Sequence, residues 1–175
     1  MTLYAEQGFE RTTAAQIAQL AGLTERTFFR NFADKREVLF YGVPAAQELL
    51  TRAVTDAPDS ATPMDAVSAA IEAMCAMFQE NPERVRQREA VISANPELQE
   101  RNLTKHSELA AAMARALLDR GVPDPAASLT AETGIAVYRV AFARWIKEPG
   151  EPDLPGIFRN AMAKLRGELA DHAPA

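Results

Sequence analysis

Residues 12–35 read TTAAQIAQLAGLTERTFFRNFADK, and this stretch decides the fold of the N-terminal region. It predicts two short helices that are joined by a glycine turn. Thr13 is placed to cap the first helix, with Gln16 at the reciprocal position three residues later. Gly22 is predicted to end that helix, because glycine enters the left-handed backbone conformation at little cost.

The second predicted helix begins after the hydroxyl side chain of Thr24, and Leu23 is predicted to fill the turn before it. Phe28 and Phe32 lie four residues apart and are predicted to face inward together. A helix of this size fits the major groove of DNA, where its outward side chains can reach bases and phosphates. The predicted DNA-contacting residues are Thr13, Thr24, Glu25, Arg26, Thr27, Phe29, Arg30, Asn31 and Lys35.

A third helix is predicted from residue 35 to residue 56, with Asp34 as its cap and Glu37 at the reciprocal position. Lys35 lies at its start, where backbone N–H groups also favour a phosphate. Gly42 and Pro44 should kink or break this helix near residues 41–43, since proline removes a helical hydrogen bond.

Several fixed spacings in this region match a known family pattern together. They are YAEQGFERTT at 4–13, IA at 17–18, AGLT at 21–24, TFF at 27–29 and FADK at 32–35. In these residues the chain resembles the N-terminal domain of the tetracycline-repressor (TetR) family of transcriptional regulators. The resemblance implies an all-helical homodimer, usually a repressor that binds a near-palindromic operator in double-stranded DNA. It also implies that a small molecule in the C-terminal domain releases the protein from DNA.

The chain departs from the family pattern at two places. The family usually has a tyrosine where this sequence has Phe29, so a hydroxyl contact to a phosphate is missing. Only residues 2–7 are left for a first helix that is longer in the family and often follows a basic arm. Either the first helix is short, or the natural chain starts upstream of residue 1.

A chain of 175 residues allows one ordinary domain, or a small one joined to a medium one. Its hydrophobic content of 47% is enough for a real core. The single cysteine, Cys75, fits a reducing cytoplasm, and no signal or membrane-spanning pattern is visible. The net charge of −5 looks unfavourable for a DNA-binding protein. However, residues 24–36 contain four basic and two acidic side chains, a local charge of +2.

The rest of the chain predicts an all-α protein. Capping side chains precede prolines at 62–63, 81–82, 95–96 and 124–125, with apolar residues at helical spacing between them. We therefore divide the chain into a helix-turn-helix DNA-binding domain at 1–41 and a helical ligand-binding and dimerisation domain at 42–175. The predicted helices are 2–7, 13–21, 24–31, 35–56, 63–80, 82–93, 96–120, 125–147 and 155–171.

The last two predicted helices carry apolar stripes that could join two subunits. One stripe consists of Phe158, Ala161, Leu165 and Leu169, and the other of Leu129, Thr133, Ala136 and Val140. Gly134 and Ala141 are small residues that allow close helix contacts. Packing within one subunit explains these stripes equally well from the sequence alone. The TetR resemblance favours a homodimer through helices 125–147 and 155–171.

The middle helices are expected to hold the effector of such a regulator. The predicted ligand-binding residues are Met74, Met77, Phe78, Arg84, Arg88, Ile92, Met113, Tyr138, Phe142 and Trp145. An ordinary apolar core, with solvated arginines, explains the same residues. The segment 84–101, RVRQREAVISANPELQER, resembles a mostly actinobacterial subgroup that includes the mycofactocin-system regulator. Some members respond to long-chain acyl-coenzyme A, which makes acyl-coenzyme A a candidate effector.

No constellation typical of an enzyme is visible, and no metal or cofactor site is predicted. The two histidines, at 106 and 172, are isolated, and Cys75 is predicted to be a small buried hydrophobic residue. We therefore predict a cytoplasmic, ligand-responsive transcriptional regulator, and the family resemblance implies that it is a repressor released by a small amphipathic or apolar effector. The alternative is a helical small-molecule-binding protein with little residual DNA affinity, and a helical enzyme is a distant third.

Overall fold

The computed structural model describes residues 2–150 and 152–171, and the described residues form helices and loops without a strand. The all-α prediction is confirmed. The helices are α1 (Thr2–Gln7), α2 (Ala14–Leu20), α3 (Glu25–Asn31), the 3₁₀ helix η1 (Glu37–Phe40), α4 (Val43–Thr55), α5 (Pro63–Gln79), α6 (Pro82–Ser93), α7 (Pro96–Asp119), α8 (Ala126–Lys147) and α9 (Leu154–Asp171).

The helix ends follow from local side-chain chemistry. Thr13 caps α2 in a complete capping box with Gln16, and Thr24 caps α3 by accepting from the backbone N–H of Thr27. Thr62 likewise caps α5, directly before Pro63. These predicted caps are confirmed. The helix predicted over 35–56 is broken at residues 41–42, as expected, into η1 and α4.

Two local predictions were wrong. Asp124 does not cap α8, because Pro125 occupies the capping position and the Asp124 carboxylate accepts a 2.7 Å hydrogen bond from Ser128 Oγ. Leu23 does not fill the turn before α3. Gly22 has φ of +68°, and the chain leaves this turn with the Leu23 side chain 41% exposed.

By contact density, the chain divides into two compact units that are each described separately. Unit 1 comprises residues 1–44 and 82–104, and unit 2 comprises residues 45–81 and 105–175. Helix α6 and the first part of α7 therefore belong with the helix-turn-helix segment. The functional boundary that the sequence predicted between residues 41 and 42 stays a prediction.

Unit 1 has a compact apolar core that joins the helix-turn-helix segment to α6 and α7. Its buried members are Tyr4, Phe9, Leu39, Phe40, Ile92 and Leu98. The Tyr4 hydroxyl donates a 2.6 Å hydrogen bond to the carbonyl oxygen of Lys35, which ties α1 to the segment before η1. Burial and the nearby Asp34 carboxylate raise the pKa of Tyr4 to about 12, so this donor keeps its proton.

Unit 2 is built from packed contacts among α5, α8 and α9. Gly134 of α8 makes the close approach to α5 possible, because a Cβ atom there would lie 2.5 Å from Val67 Cγ1. Trp145 is fully buried, and its indole N–H donates to the carbonyl oxygen of Pro152 at 2.8 Å. That bond fixes the loop between α8 and α9 against the end of α8.

Candidate functional site

Helices α2 and α3 pack on each other through a tight turn in unit 1. The backbone N–H of Leu23 donates to the Ala18 carbonyl at 2.8 Å, which closes the end of α2. Below α3, Phe28 is 1% exposed and its ring lies 5.2 Å from that of Phe32. The inward pair predicted from the sequence therefore anchors α3, and it leaves the opposite face of the helix outward.

The outward face of α3 consists of side chains that can read DNA. Glu25, Arg26, Phe29 and Arg30 are all exposed, and helical spacing places them on one side of α3. Arginine can donate two hydrogen bonds to guanine, and both arginines also attract phosphates. A short helix that is anchored on one face and charged on the other has the form that enters a major groove.

Three predicted contact residues have bonds within α3 itself. The hydroxyl groups of Thr24 and Thr27 lie 3.0 Å apart, and the Asn31 amide donates to the carbonyl oxygen of Thr27 at 2.8 Å. Thr24 also accepts from the Thr27 N–H as the helix cap. These residues are exposed or half-buried, and their DNA contacts stay predictions. Their internal bonds fix the start of the helix.

Lys35 and Thr13 also have structural roles. Thr13 caps α2, and its predicted DNA contact stays a prediction. The Lys35 ammonium donates to the carbonyl oxygens of Phe9 at 2.8 Å and Glu10 at 3.1 Å, and it lies 4.4 Å from the centre of the Phe9 ring. An ammonium group has three donors, so one remains for a phosphate. The phosphate contact predicted for Lys35 stays a prediction, beside a role in holding the turn after α1.

An ionic network that sequence reasoning missed connects η1 with α7 in unit 1. Arg101 pairs with Glu37 and lies 3.6 Å from the Asp34 carboxylate, while Arg36 pairs with Glu97. Asp34 meanwhile accepts from the backbone N–H groups of Arg36 and Glu37, as its predicted capping role requires. Only the i,i+3 spacing of Asp34 and Glu37 was visible in the sequence, because their partners lie more than sixty residues away.

Four of the predicted effector-binding residues form a row of aromatic rings in unit 2. Ring centres are 6.5 Å apart for Phe78 and Tyr138, 5.6 Å for Tyr138 and Phe142, and 5.7 Å for Phe142 and Trp145. His106 of α7 meets Tyr138 edge-on at 5.8 Å. Sequence reasoning missed His106, since nothing local indicated that this histidine lies beside the aromatic row.

The other predicted effector-binding residues are divided between the units. Met74 and Met113 are fully buried in unit 2, and Met77 is half-buried there. Ile92 packs in the core of unit 1. Arg88 donates to the Leu39 carbonyl oxygen and to Asn102, so its guanidinium already has a structural role within unit 1. Arg84, on the same helix, is exposed. The effector contacts of all these residues stay predictions.

The sequence matches two profiles of known protein families. Residues 1–41 match the tetR family of bacterial regulatory proteins, and residues 61–170 match the MftR C-terminal domain. The second match alone spans more than half of the 175 residues.

The chain belongs to the TetR family of bacterial regulatory proteins. It is therefore a DNA-binding transcriptional regulator, and α2 and α3 are its helix-turn-helix. The resemblance predicted from the sequence is confirmed, including its C-terminal part. The members of this family act as regulators of transcription.

Three relatives show what this TetR-family regulator is similar to. The HTH-type transcriptional regulator TcmR of Streptomyces glaucescens is 28% identical over an alignment 189 positions long. The alignment covers 97% of this chain and 80% of TcmR. Thermus thermophilus FadR, a TetR-family repressor solved with lauroyl-CoA, has a TM-score of 0.63 at 22% identity and covers 100% of this chain and 94% of its own. A TetR-family regulator from Mesorhizobium loti also reaches 0.63, at 18% identity over 97% and 90% of the two chains. The two structural likenesses concern the fold.

The stripe predicted on α9 of this TetR-family regulator is divided between the core and the surface. Phe158 is 1% exposed, because it packs within unit 2, where α9 lies against α5 and α8. Its predicted place between subunits was wrong. Gly134 and Ala141 are likewise buried within the subunit. Leu165 is half-buried, and Leu169, near the end of the helix, is exposed.

The stripe predicted on α8 has a different environment. Leu129 and Val140 are 64% and 68% exposed, and Ala136 between them is exposed as well. Together with the half-buried Thr133, these residues recur every three or four positions and therefore lie along one side of α8. Because Gly134 and Ala141 face the core, the helix has one buried side and one exposed apolar side. We call the exposed residues Leu129, Ala136, Val140 and Ala143 the α8 stripe.

The remaining candidate groups of this TetR-family regulator indicate no other chemistry. Cys75 is fully buried on α5, and burial, followed by the charges of Glu72 and Asp153, raises the pKa of its thiol to about 12. It is the small buried residue that the sequence predicted. Within residues 2–150 and 152–171 we find no group of histidine, cysteine and acidic side chains that could hold a metal ion. None of the helices in these ranges has the length and apolar character needed to cross a membrane.

Proposed function

We propose that this TetR-family regulator is a repressor that binds a near-palindromic operator as a homodimer and leaves it when an amphipathic or apolar effector binds. The observation that carries this proposal is the exposed face of α3, where Arg26 and Arg30 are presented by a helix anchored on Phe28. In this proposal residues 1–41 bind DNA, and residues 42–175 bind the effector and the partner subunit.

The α8 stripe supports the dimer. Leu129 and Val140 are the large members of this exposed stripe. When a second copy covers the stripe, its apolar surface is removed from water, which stabilises the dimer by about 25 cal/mol per Å² buried. A two-fold axis through this face would give two copies of α3 for two half-sites, roughly 34–36 Å apart on DNA. Val140→Glu would place a charge in that contact and should produce a monomer with weakened operator binding. Leu118→Glu, on the exposed side of α7, is the matched control and should remain a dimer by light scattering.

The aromatic row in unit 2 supports an apolar effector. Phe78, Tyr138 and Phe142 supply adjoining, mutually tilted rings, and Met77, next to Phe78 in the sequence, is an adaptable side chain. The lauroyl-CoA bound by Thermus thermophilus FadR supports acyl-coenzyme A esters as the first class to test. An effector can lower operator affinity only by its preference for the state that does not bind DNA, commonly 5- to 150-fold.

The test is a titration of lauroyl-CoA, lauric acid and coenzyme A against the protein bound to fluorescent DNA from upstream of its own coding sequence. We expect operator binding that shuffled DNA does not compete for, and release by the acyl ester at concentrations where coenzyme A alone has no effect. Met77→Trp should fill space beside the aromatic row and reduce the response to the ester. Tight ester binding with unchanged operator affinity would contradict the coupling between the two sites.

A second candidate is a helical small-molecule-binding protein with little DNA affinity, which the net charge of −5 favours. The same titration separates the two candidates. A protein that binds the ester by calorimetry, yet binds upstream and shuffled DNA equally weakly at low salt, fits the second candidate and contradicts the first.

A further inference from the structure

The exposed face of α3 contains one side chain whose chemistry differs from that of its neighbours. Phe29 is 53% exposed, although it is a large apolar residue on the helix that carries Arg26 and Arg30. Residues three and four apart share a helix face, so Phe29 lies on the same face as Arg26. Both side chains face the solvent. It has no polar atom and can form no ordinary hydrogen bond to a phosphate oxygen.

The ring of Phe29 is supported from below. It meets Phe28 edge-on, with ring centres 5.3 Å apart and planes at 88°, which is a favourable arrangement for two aromatic rings. Phe28 is itself 1% exposed and contacts Phe32 at 5.2 Å. Phe29 is therefore the outer member of an aromatic cluster that begins in the core. Its contact with Phe28 limits how far the Phe29 ring can move away from the outward face.

The major groove offers an exposed phenyl ring one apolar partner. Each base edge there presents hydrogen-bond donors or acceptors, but thymine also presents its C5-methyl group. The flanking arginines can satisfy phosphates and guanine, whereas a ring between them gains most by covering a methyl group. Contact with a deoxyribose would also bury the ring, but it would carry no sequence information.

We propose that Phe29 reads the C5-methyl group of a thymine in each half-site of the operator. This inference rests on the proposed function, since it assigns a base preference to the same DNA-binding helix. The ring acts as a specificity element, and the arginines beside it supply charge and hydrogen bonds.

The test begins with an operator that the parent protein selects from random DNA. Each thymine of a half-site is replaced in turn, in both half-sites, by deoxyuridine, which lacks only the C5-methyl group. At one position we expect the parent to lose about fourfold in affinity per half-site, the factor associated with burying one methyl group. Phe29→Ala should lose affinity for the normal operator and should not distinguish thymine from deoxyuridine at that position.

Two further variants make the result specific. Phe29→Tyr keeps the ring and should keep the penalty for deoxyuridine. Phe29→Gln keeps a long side chain without the ring, should lose the penalty, and replaces Phe29→Ala if that variant does not fold by circular dichroism. An equal deoxyuridine penalty in the parent and in the ring-less variants, or none at any position, would overturn the inference while the regulator function stands. A parent that selects no sequence would overturn the proposed function and this inference with it.

Discussion

Arg88 of α6 donates a hydrogen bond from Nε to the carbonyl oxygen of Leu39, at 2.6 Å, and thereby joins α6 to η1. Its guanidinium also lies 5.1 Å from the centre of the Phe40 ring and donates to Asn102 at 3.2 Å. The sequence predicted an effector contact for this arginine. Its position in unit 1 indicates that it also stabilises the contact between the end of the helix-turn-helix segment and the helices packed on it.

Replacing Arg88 with methionine tests this stabilising role. The change keeps an unbranched apolar stem but removes every donor, so the Leu39 carbonyl loses a charge-assisted hydrogen bond worth about 1.5–3 kcal/mol. Urea unfolding without any effector should report a loss of that order. Arg30→Met, on the exposed face of α3, is the control and should change stability by less than about 0.5 kcal/mol. If Arg88 served only to bind an effector, the two variants would unfold alike.

Lys35 and Arg26 are expected to fail in different ways. The Lys35 ammonium holds the carbonyl groups of Phe9 and Glu10, so Lys35→Ala should lower the free energy of unfolding by about 1–3 kcal/mol and weaken binding to every DNA sequence. Arg26 is exposed, and we propose that it reads a base, so Arg26→Ala should preserve stability and relax sequence preference by about 1–3 kcal/mol at one base pair. Thermal unfolding and competition with mismatched operators measure the two effects.

The alternative role for Lys35 is a contact to a DNA phosphate. If its third N–H group contacts a phosphate, Lys35→Ala also reduces the salt dependence of binding by about one unit of slope. A stable Lys35→Ala protein that only loses salt dependence would contradict the structural role. Lys35→Arg is the matched control, because it retains the charge and several donors.

The helices and their caps could be predicted from the sequence because they depend on neighbouring residues. Thr13 with Gln16, Thr62 with Pro63, and the break at Gly42 are all encoded within a few positions. The same holds for Arg26 and Phe29, whose outward positions follow from the inward Phe28. The family resemblance added the regulator function, which the local pattern alone did not determine.

The errors at Asp124 and Leu23 were local, whereas the other errors and omissions concern residues whose environment depends on distant parts of the chain. Phe158 belongs to an apolar stripe that the sequence placed between subunits, but a stripe does not identify the helix that covers it. The close helix contact predicted for Gly134 is confirmed, and α5 is the helix that makes it. Arg88 looked like a solvated or anion-binding charge, and nothing local indicated the role of Arg101, since their partners at Leu39 and Glu37 lie 49 and 64 residues away. Long-range partners of polar side chains cannot be read from helical spacing.

Gly134 should be sensitive to the smallest possible substitution. A methyl group there would meet Val67 Cγ1 at 2.5 Å and Ile71 Cδ1 at 2.8 Å, and both neighbours are fully buried. Overpacking costs about 1–3 kcal/mol and should exceed the gain of about 1 kcal/mol in helix propensity, so Gly134→Ala lowers stability. Gly42→Ala is the control, because its Cβ would meet nothing within 4 Å. Urea midpoints that rise for Gly134→Ala would contradict close packing of α5 and α8.

Glu89 of α6 should make the stability of the protein depend on pH. Its carboxylate oxygen Oε2 is buried and has no hydrogen-bond partner among the described residues, and this burial raises its pKa above the ordinary value of 4.5. The charge of Arg88 opposes the shift but does not cancel it. The pKa of Glu89 is higher in the folded than in the unfolded chain. Protonation of Glu89 therefore stabilises the folded protein, and this contribution is fully present below pH 4.5. It is lost as the pH rises through the folded-state pKa.

Glu89→Gln removes this titration and therefore should raise the unfolding temperature at pH 7, because burial disfavours the ionised form of the parent carboxylate. The advantage should shrink as the pH is lowered and should vanish below pH 4.5, where the parent carboxyl is protonated in both states. Glu100→Gln, on the exposed side of α7, is the control, because it makes the same substitution without removing a buried carboxylate oxygen. Thermal unfolding by circular dichroism at a series of pH values measures the difference. A Glu89→Gln protein that is less stable than the parent at pH 7 would mean that the carboxylate makes a favourable contact, and the argument from its burial would fail.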